Sequence, residues 1–274
     1  MAEYPAIEIA FRVSADSALF DRLYAQLDDF GPLAIHENDE DASWRVFFRS
    51  AESRDAALAA LAADPALTAS ALEVPDEDWA RRSQENLRAI EAGGLVIAPP
   101  WDVPKGSTPV IIIEPSTGFG TGHHATTRLC LRMLQRLELR GARVLDIGTG
   151  SGVLALAAWK LGASDVVAID NDPDALDNAR ANIERNGAAP SIDIICDDLG
   201  GLRIQRADIV LANLTGAVLV RYASELRALA VDEGYLILSG FAPQDTAVVR
   251  AAFKGIGVVD ESVEGEWASI CFRA

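Results

Sequence analysis

Three glycines at alternate positions, Gly148, Gly150 and Gly152, stand between two acids, Asp146 and Asp170. Each acid sits at the end of an apolar run, Val144-Leu145-Asp146 and Val166-Val167-Ala168-Ile169-Asp170. Glycine lacks Cβ, so such a turn can take positive φ and bring backbone N–H groups against a ligand that side chains would hold off. The stretch Leu154 to Leu161 reads as a helix that points its free N–H groups at the same spot. Asp170, at the tip of the second run, is placed to accept from a ribose diol. The residues therefore describe a β-α-β unit around a nucleoside.

Two cofactor classes use that geometry. A dinucleotide wants Gly-x-Gly-x-x-Gly, which seats its pyrophosphate on the helix N-terminus. Here the spacing is Gly-x-Gly-x-Gly, and Asp146 stands just before it. A carboxylate there repels pyrophosphate but suits the ammonium and sulfonium of S-adenosylmethionine, which favours the methyl donor over a nicotinamide cofactor. Gly148 and Gly150 then supply backbone and Asp146 negative charge, while a glycine turn with only a structural job is the plain alternative.

Further candidates follow from position. The stretch Gly118-Phe119-Gly120-Thr121-Gly122-His123-His124-Ala125-Thr126-Thr127 precedes a helix expected over Arg128 to Leu137 and is more polar than a connector needs. Thr126 could cap that helix, and Thr127 is placed on the cofactor. His123 and His124 are base candidates by their ordinary pKa or hydrogen-bonded structural groups. A strand from Ser191 to Cys196 ends at Asp197-Asp198, where Asp197 either accepts from an adenine amino group or caps the loop. The strand Ala207 to Ala212 ends at Asn213, a residue poor inside strands but well placed at the carboxyl edge where open α/β sheets bind ligands.

The chain has 274 residues, half of them hydrophobic, and a net charge of −17. That charge argues against a nucleic acid as main partner, since such binding rests on Lys and Arg, and fits a basic protein better. Three scattered cysteines suggest a reduced cytosol. No apolar run approaches the roughly 18 residues of a membrane span, and no leader pattern opens the chain. With three histidines and no paired cysteines, no zinc site is expected.

Alternation from Tyr4 to Val13 predicts a strand, and Ser14 to Phe30 a helix capped by Ser14 or Asp16. Ala34–Glu37 and Trp44–Phe48 form a hairpin around Asn38-Asp39-Glu40-Asp41; Ala51–Ala63 is helical, and Thr68–Val74 closes the unit. The order β-α-β-β-α-β is that of a small ferredoxin-like domain over residues 1–75. Its acid excess is either a cradle for a basic substrate or a solvated surface. Residues 76–93 are expected as a helical linker ending at Gly93-Gly94, and residues 94–274 as the catalytic domain. Later helices are expected from Asp172-Pro173, over Val218–Ala230 and over Gln244–Phe253; a strand is expected over Gly234–Ser239, and Gly257–Val263 pairs antiparallel with Trp267–Phe272.

The Gly118–Thr127 stretch, Leu145-Asp146-Ile147-Gly148-Thr149-Gly150-Ser151-Gly152, Ala212-Asn213-Leu214 and Leu236-Ile237-Leu238-Ser239-Gly240 together resemble the bacterial ribosomal protein L-eleven (L11) methyltransferase family, PrmA type. Where that family usually reads Asn-Ile-Leu, this chain reads Asn213-Leu214-Thr215. The resemblance implies an α/β fold: a ferredoxin-like substrate-recognition domain, a linker and a class I, Rossmann-like, seven-stranded methyltransferase domain. It implies S-adenosylmethionine contacts at Thr127, Gly148, Asp170 and Asn213, and methylation of lysine or α-amino groups of L11 by a cytoplasmic monomer. Asn213 is the catalytic candidate, its carboxamide oxygen orienting a neutral amine toward the methyl. Another protein lysine, a small metabolite or a non-catalytic donor-binding role are the alternatives.

Overall fold

The structure is a computed structural model that describes residues 3–11, 17–28, 30–38, 43–62, 64–75, 87–115 and 123–274. The Ser14 or Asp16 cap, the turn at 39–41, most of the linker helix and the glycine loop 118–122 lie outside the described residues. The chain divides into two compact units, Met1–Leu87 and Arg88–Ala274.

The first unit runs β1 (Glu3–Phe11), α1 (Ser17–Asp28), β2 (Pro32–Asn38), β3 (Ser43–Phe48), α2 (Ala51–Leu61) and β4 (Leu67–Pro75). Its sheet has the order β2-β3-β1-β4 with every pair antiparallel, the ferredoxin-like arrangement. Alternation sends Ile7 and Ile9 of β1 and Trp44, Val46 and Phe48 of β3 into one core with Leu23, Leu27, Ala57 and Leu61 of the helices. Ser50 caps α2 by accepting from the Ser53 N–H at 3.2 Å.

The second unit opens with β5 (Ile90–Ala92), β6 (Leu95–Ala98) and β7 (Val110–Ile112), a three-stranded sheet. This corrects the linker expectation: Ile90–Ala92 is a strand, and Gly93, at φ 67°, makes the bend into β6. Then come α3 (Ala125–Leu134), β8 (Arg143–Ile147), α4 (Val153–Lys160), β9 (Asp165–Asp170), α5 (Pro173–Arg185), β10 (Ile192–Cys196) and β11 (Ala207–Asn213). The chain continues with α6 (Gly216–Arg221), α7 (Ala223–Leu229), β12 (Ala230–Phe241), α8 (Thr246–Ala252), β13 (Gly257–Glu264) and β14 (Trp267–Arg273). The expected single helix over Val218–Ala230 is two, broken at Tyr222 with φ −106° and ψ 23°.

The large sheet has the order β10-β9-β8-β11-β12-β14-β13, parallel from β10 to β12, with β14 inserted antiparallel. From β8 the chain winds outward through β9 and β10, then returns to place β11 on the other side of β8. That reversal leaves a crevice beyond the carboxyl ends of β8 and β11, where ligands of open α/β sheets lodge. Helices cover both faces, so β8 and β9 are buried on both sides and read as continuous apolar runs. Among the described residues no helix is long and apolar enough to cross a membrane.

Candidate active site

The glycine turn follows β8. Gly148, Gly150 and Gly152 have φ of 70°, 53° and 81°, the left-handed region that penalises any side chain. Ile169 of the neighbouring strand accepts from the N–H groups of both Gly148 (2.8 Å) and Thr149 (3.0 Å), which pins the start of the turn to β9. Asp146 lies beneath it, 1% exposed. Its Oδ2 accepts from Thr149 Oγ1 at 2.7 Å and from the Ala155 N–H at 3.0 Å, bolting strand, turn and helix start together. Burial pushes this carboxyl up to about 6, with the two hydrogen bonds pulling back and Asp170 adding repulsion.

Asp170 stands at the end of β9, partly exposed. Its Oδ2 accepts from the Gly150 N–H at 2.9 Å and its Oδ1 from the Asp172 N–H at 3.1 Å. Each carboxylate oxygen has more than one acceptor site, so capacity for a diol remains. Cys196 pairs with Asp170 across β10 and β9, and the Asp197 N–H donates to the Asp170 carbonyl at 3.1 Å. Asp197 is exposed beside Asp170, its Oδ1 accepting from the Asp198 N–H at 2.8 Å. Carboxylates gather along this edge of the sheet, and their negative potential suits a cationic ligand.

On the far side of the crevice, Ala212 pairs with Ile147, which sets Asn213 beside the first glycine. Asn213 is partly exposed. The next residue touches the turn: a Cβ on Gly148 would fall 2.3 Å from Leu214 Cδ2. The strand ends thus bring Gly148, Gly150, Asp146, Asp170, Asp197 and Asn213 to one edge.

Thr127 lies on helix α3, which packs against β11, β12 and α4. Helix α3 begins at Ala125 rather than Arg128, so Thr126 and Thr127 are buried inside its first turn and neither is the cap. No hydrogen bond among the described residues ties Thr127 to the glycine turn or Asn213. The N-cap is His124, whose Nδ1 shares a hydrogen bond with Thr126 Oγ1 at 2.8 Å and whose ring meets Trp267 edge-on at 4.7 Å. Burial first, and Arg128 second, hold His124 below the ordinary histidine pKa, so it is neutral at pH 7. His123 donates through Nε2 to the Arg88 carbonyl at 2.7 Å. Arg128 binds the His123 carbonyl and, with Arg132, the carboxylate of Glu264 in the β13–β14 hairpin. Both histidines are therefore built into the approach to α3.

Sequence reasoning gave no role to Leu214, to Asn182 of α5 or to Asn186, the C-cap of that helix. The Asn182 and Asn186 Oδ1 atoms accept from the N–H groups of Glu114 and Ile112, each at 2.9 Å, tying α5 to the edge of β7. Residues four apart on a helix share a face, which is the one signal available.

The family described as ribosomal protein L11 methyltransferase (PrmA) matches residues 11–274. A ribosomal protein L11 methyltransferase of Pelotomaculum thermopropionicum is 38% identical over 227 residues, covering 81% of this chain and 74% of that protein. One of Geobacter sulfurreducens is 42% identical over 205 residues, covering 73% and 67%. The crystal structure of a ribosomal protein L11 methylase from Lactobacillus delbrueckii subsp. bulgaricus superimposes with a TM-score of 0.64 at 26% identity, covering 68% of this chain and 98% of that one. With the family matched across both units and the carboxyl edge of the sheet arranged as described, this chain belongs to the ribosomal protein L11 methyltransferase (PrmA) family and is a methyltransferase.

Proposed function

We propose that the chain is an S-adenosylmethionine-dependent protein N-methyltransferase that modifies lysine or α-amino groups of ribosomal protein L11. The observation that carries the reading is the carboxylate of Asp170, held by the Gly150 and Asp172 N–H groups with acceptor capacity left for a ribose diol. The acceptor is suggested by the relatives' names. The donor site fits on its own chemistry: acids line it, left-handed glycines allow close backbone approach, and the partly exposed Asn213 amide stands opposite.

S-adenosylmethionine supplies a methyl group already activated on a sulfonium, so the chain's task is alignment. Asp170 would hold the ribose, Gly148 and Gly150 let the backbone close on the nucleoside, and Asp197 would accept from the adenine amino group. Asp146 contributes negative potential from beneath, and Thr127 is assigned to the cofactor on its motif match alone. The Asn213 carboxamide oxygen accepts an N–H of the substrate amine and turns its lone pair toward the methyl. A lysine with an ordinary pKa of about 10.4 must first lose a proton, and desolvation in the crevice favours that loss. No dedicated base is then required.

In this reading residues 1–75 recognise the substrate, the linker spans the stretch up to Leu87, and the methyltransferase domain begins near Arg88. The net charge of −17 suits a basic protein partner rather than nucleic acid, for a cytoplasmic monomer. Tritiated S-adenosylmethionine offered with the enzyme to whole-cell lysate and to purified L11 tests the reading. It predicts label in L11; label confined to other proteins or small molecules, or donor binding with no labelled product, contradicts it.

A further inference from the structure

The seat of Asn213 depends on a glycine outside the turn, Gly240. In β12 the register against β14 passes from Ser239 opposite Ser269 to Phe241 opposite Ala268, which leaves Gly240 as the extra residue of a bulge. Its φ is 98°. A Cβ on Gly240 would stand 2.2 Å from the Leu214 carbonyl oxygen, 2.8 Å from its carbon and 3.1 Å from its nitrogen. All three atoms are backbone, so no rotamer change relieves the clash.

The same short segment is held from two other directions. The Leu214 N–H donates to the Ser239 carbonyl at 3.0 Å. The Leu214 side chain lies on Gly148, with Cδ2 2.3 Å from where a Cβ there would be. Ser239 is itself fixed, its Oγ donating to the Ala268 carbonyl at 2.9 Å in the buried interior. Two side-chain-free positions and one strand hydrogen bond thus define how deep the Asn213-Leu214 peptide sits.

We infer that Gly240 is a positioning residue for methyl transfer: the bulge and the missing side chain let the Asn213-Leu214 peptide sink against β12, and that depth aims the Asn213 carboxamide at the acceptor amine. This rests on the role assigned to Asn213 above. Asn213 has lost its partner in β8 and pairs only with Ser239 of β12, so a displaced Leu214 shifts the backbone that carries the amide. The nucleoside contacts at Gly150 and Asp170 lie on the other side of the turn and depend on Leu214 only through its side chain. Alignment should therefore suffer before donor affinity does.

The test compares Gly240→Ala with Gly255→Ala in the full-length enzyme. Gly255 has φ 94° and its nearest neighbour to a new Cβ is Arg227 Nη1 at 3.5 Å, so it carries the same backbone strain without the clash. Turnover of purified L11, S-adenosylmethionine affinity by calorimetry and thermal stability are measured for each. A displacement of about 1 Å at the reacting centre costs on the order of 100-fold, so Gly240→Ala should lose about that much kcat while donor Kd moves less than about threefold. Gly255→Ala should keep kcat within about twofold and lose only the thermal stability that the left-handed strain costs, less than Gly240→Ala loses. Retained kcat in Gly240→Ala, an equal loss in Gly255→Ala, or a loss of donor affinity that matches the loss of turnover overturns the inference. Asn213→Ala, run beside them, separates the two levels: full turnover there removes the role of Asn213 itself. If Gly240→Ala does not fold, Leu214→Ala decides, because it slackens the seat without a clash. It should lower kcat about tenfold while donor Kd, which feels the lost side chain through Gly148, weakens by less than kcat falls; unchanged kcat overturns the inference.

Discussion

Replacing Asp146 by Asn should make the protein more stable at neutral pH. Both hydrogen bonds to Asp146 fall on one oxygen, from Thr149 Oγ1 and the Ala155 N–H, so the single oxygen of an Asn can accept both. What the substitution removes is a charge on a group only 1% exposed. Burial moves this carboxyl from an ordinary 3.8 to about 6. Between those values the folded chain holds a proton that the unfolded chain has released, so stability falls as pH rises through the window and levels off above it. Two pKa units correspond to about 3 kcal/mol. Urea unfolding of the wild type and Asp146→Asn between about pH 4 and pH 8 reads the difference directly. The variant should be the more stable by up to about 3 kcal/mol at the upper end, with the gap closing as pH falls below the unfolded value. A variant less stable at pH 8, or a wild type that gains on it as pH rises, would refute the reasoning.

The glycine turn makes a ranked prediction. At Gly152 a Cβ would sit 3.4 Å from Ala179 Cβ, ordinary contact, so Gly152→Ala should cost only the left-handed backbone penalty, about 1–2 kcal/mol in urea unfolding. Gly148→Ala adds the collision with Leu214 and should cost about 1–3 kcal/mol more; equal losses would show that Leu214 does not pack as described. Glu264 is the anchor that Arg128 and Arg132 share. Burial alone would raise its carboxyl, but the two arginines outweigh that and hold it below the ordinary glutamate value. Its pairing therefore stabilises the fold above that ordinary value and is lost as pH falls through the lowered one. Glu264→Gln should cost about 1–2 kcal/mol at neutral pH, and no change in unfolding midpoint would remove its anchoring role.

The elements that form the crevice are legible because their signals are local. Strands β8 and β9 are buried on both faces and read as uninterrupted apolar runs closed by acids, and the glycines between them take the positive φ that their spacing implies. Asp170 and Asn213 sit at strand ends for the same reason. What the chain hides is set by packing rather than by a local pattern. Ile90–Ala92 is too short for a period to emerge, and becomes a strand because β6 lies beside it. The buried residues Leu219, Ala223, Leu226 and Leu229 keep a helical spacing straight across Tyr222, so the break there is invisible to periodicity. Thr126 and Thr127 resemble caps, but the preceding histidine makes contacts with Trp267 that let the helix start earlier. Gly240 looks like a strand terminus and acquires its meaning only against Leu214, distant in the chain.

Calorimetric titration of S-adenosylmethionine into the wild type and Asp170→Ala tests the central claim most directly. The wild type should bind one equivalent per chain, and the variant, losing the charged acceptor for the ribose and the tether of Gly150, should bind at least about tenfold more weakly at similar folded content. Undiminished affinity in Asp170→Ala, or no binding to the wild type, would contradict the account.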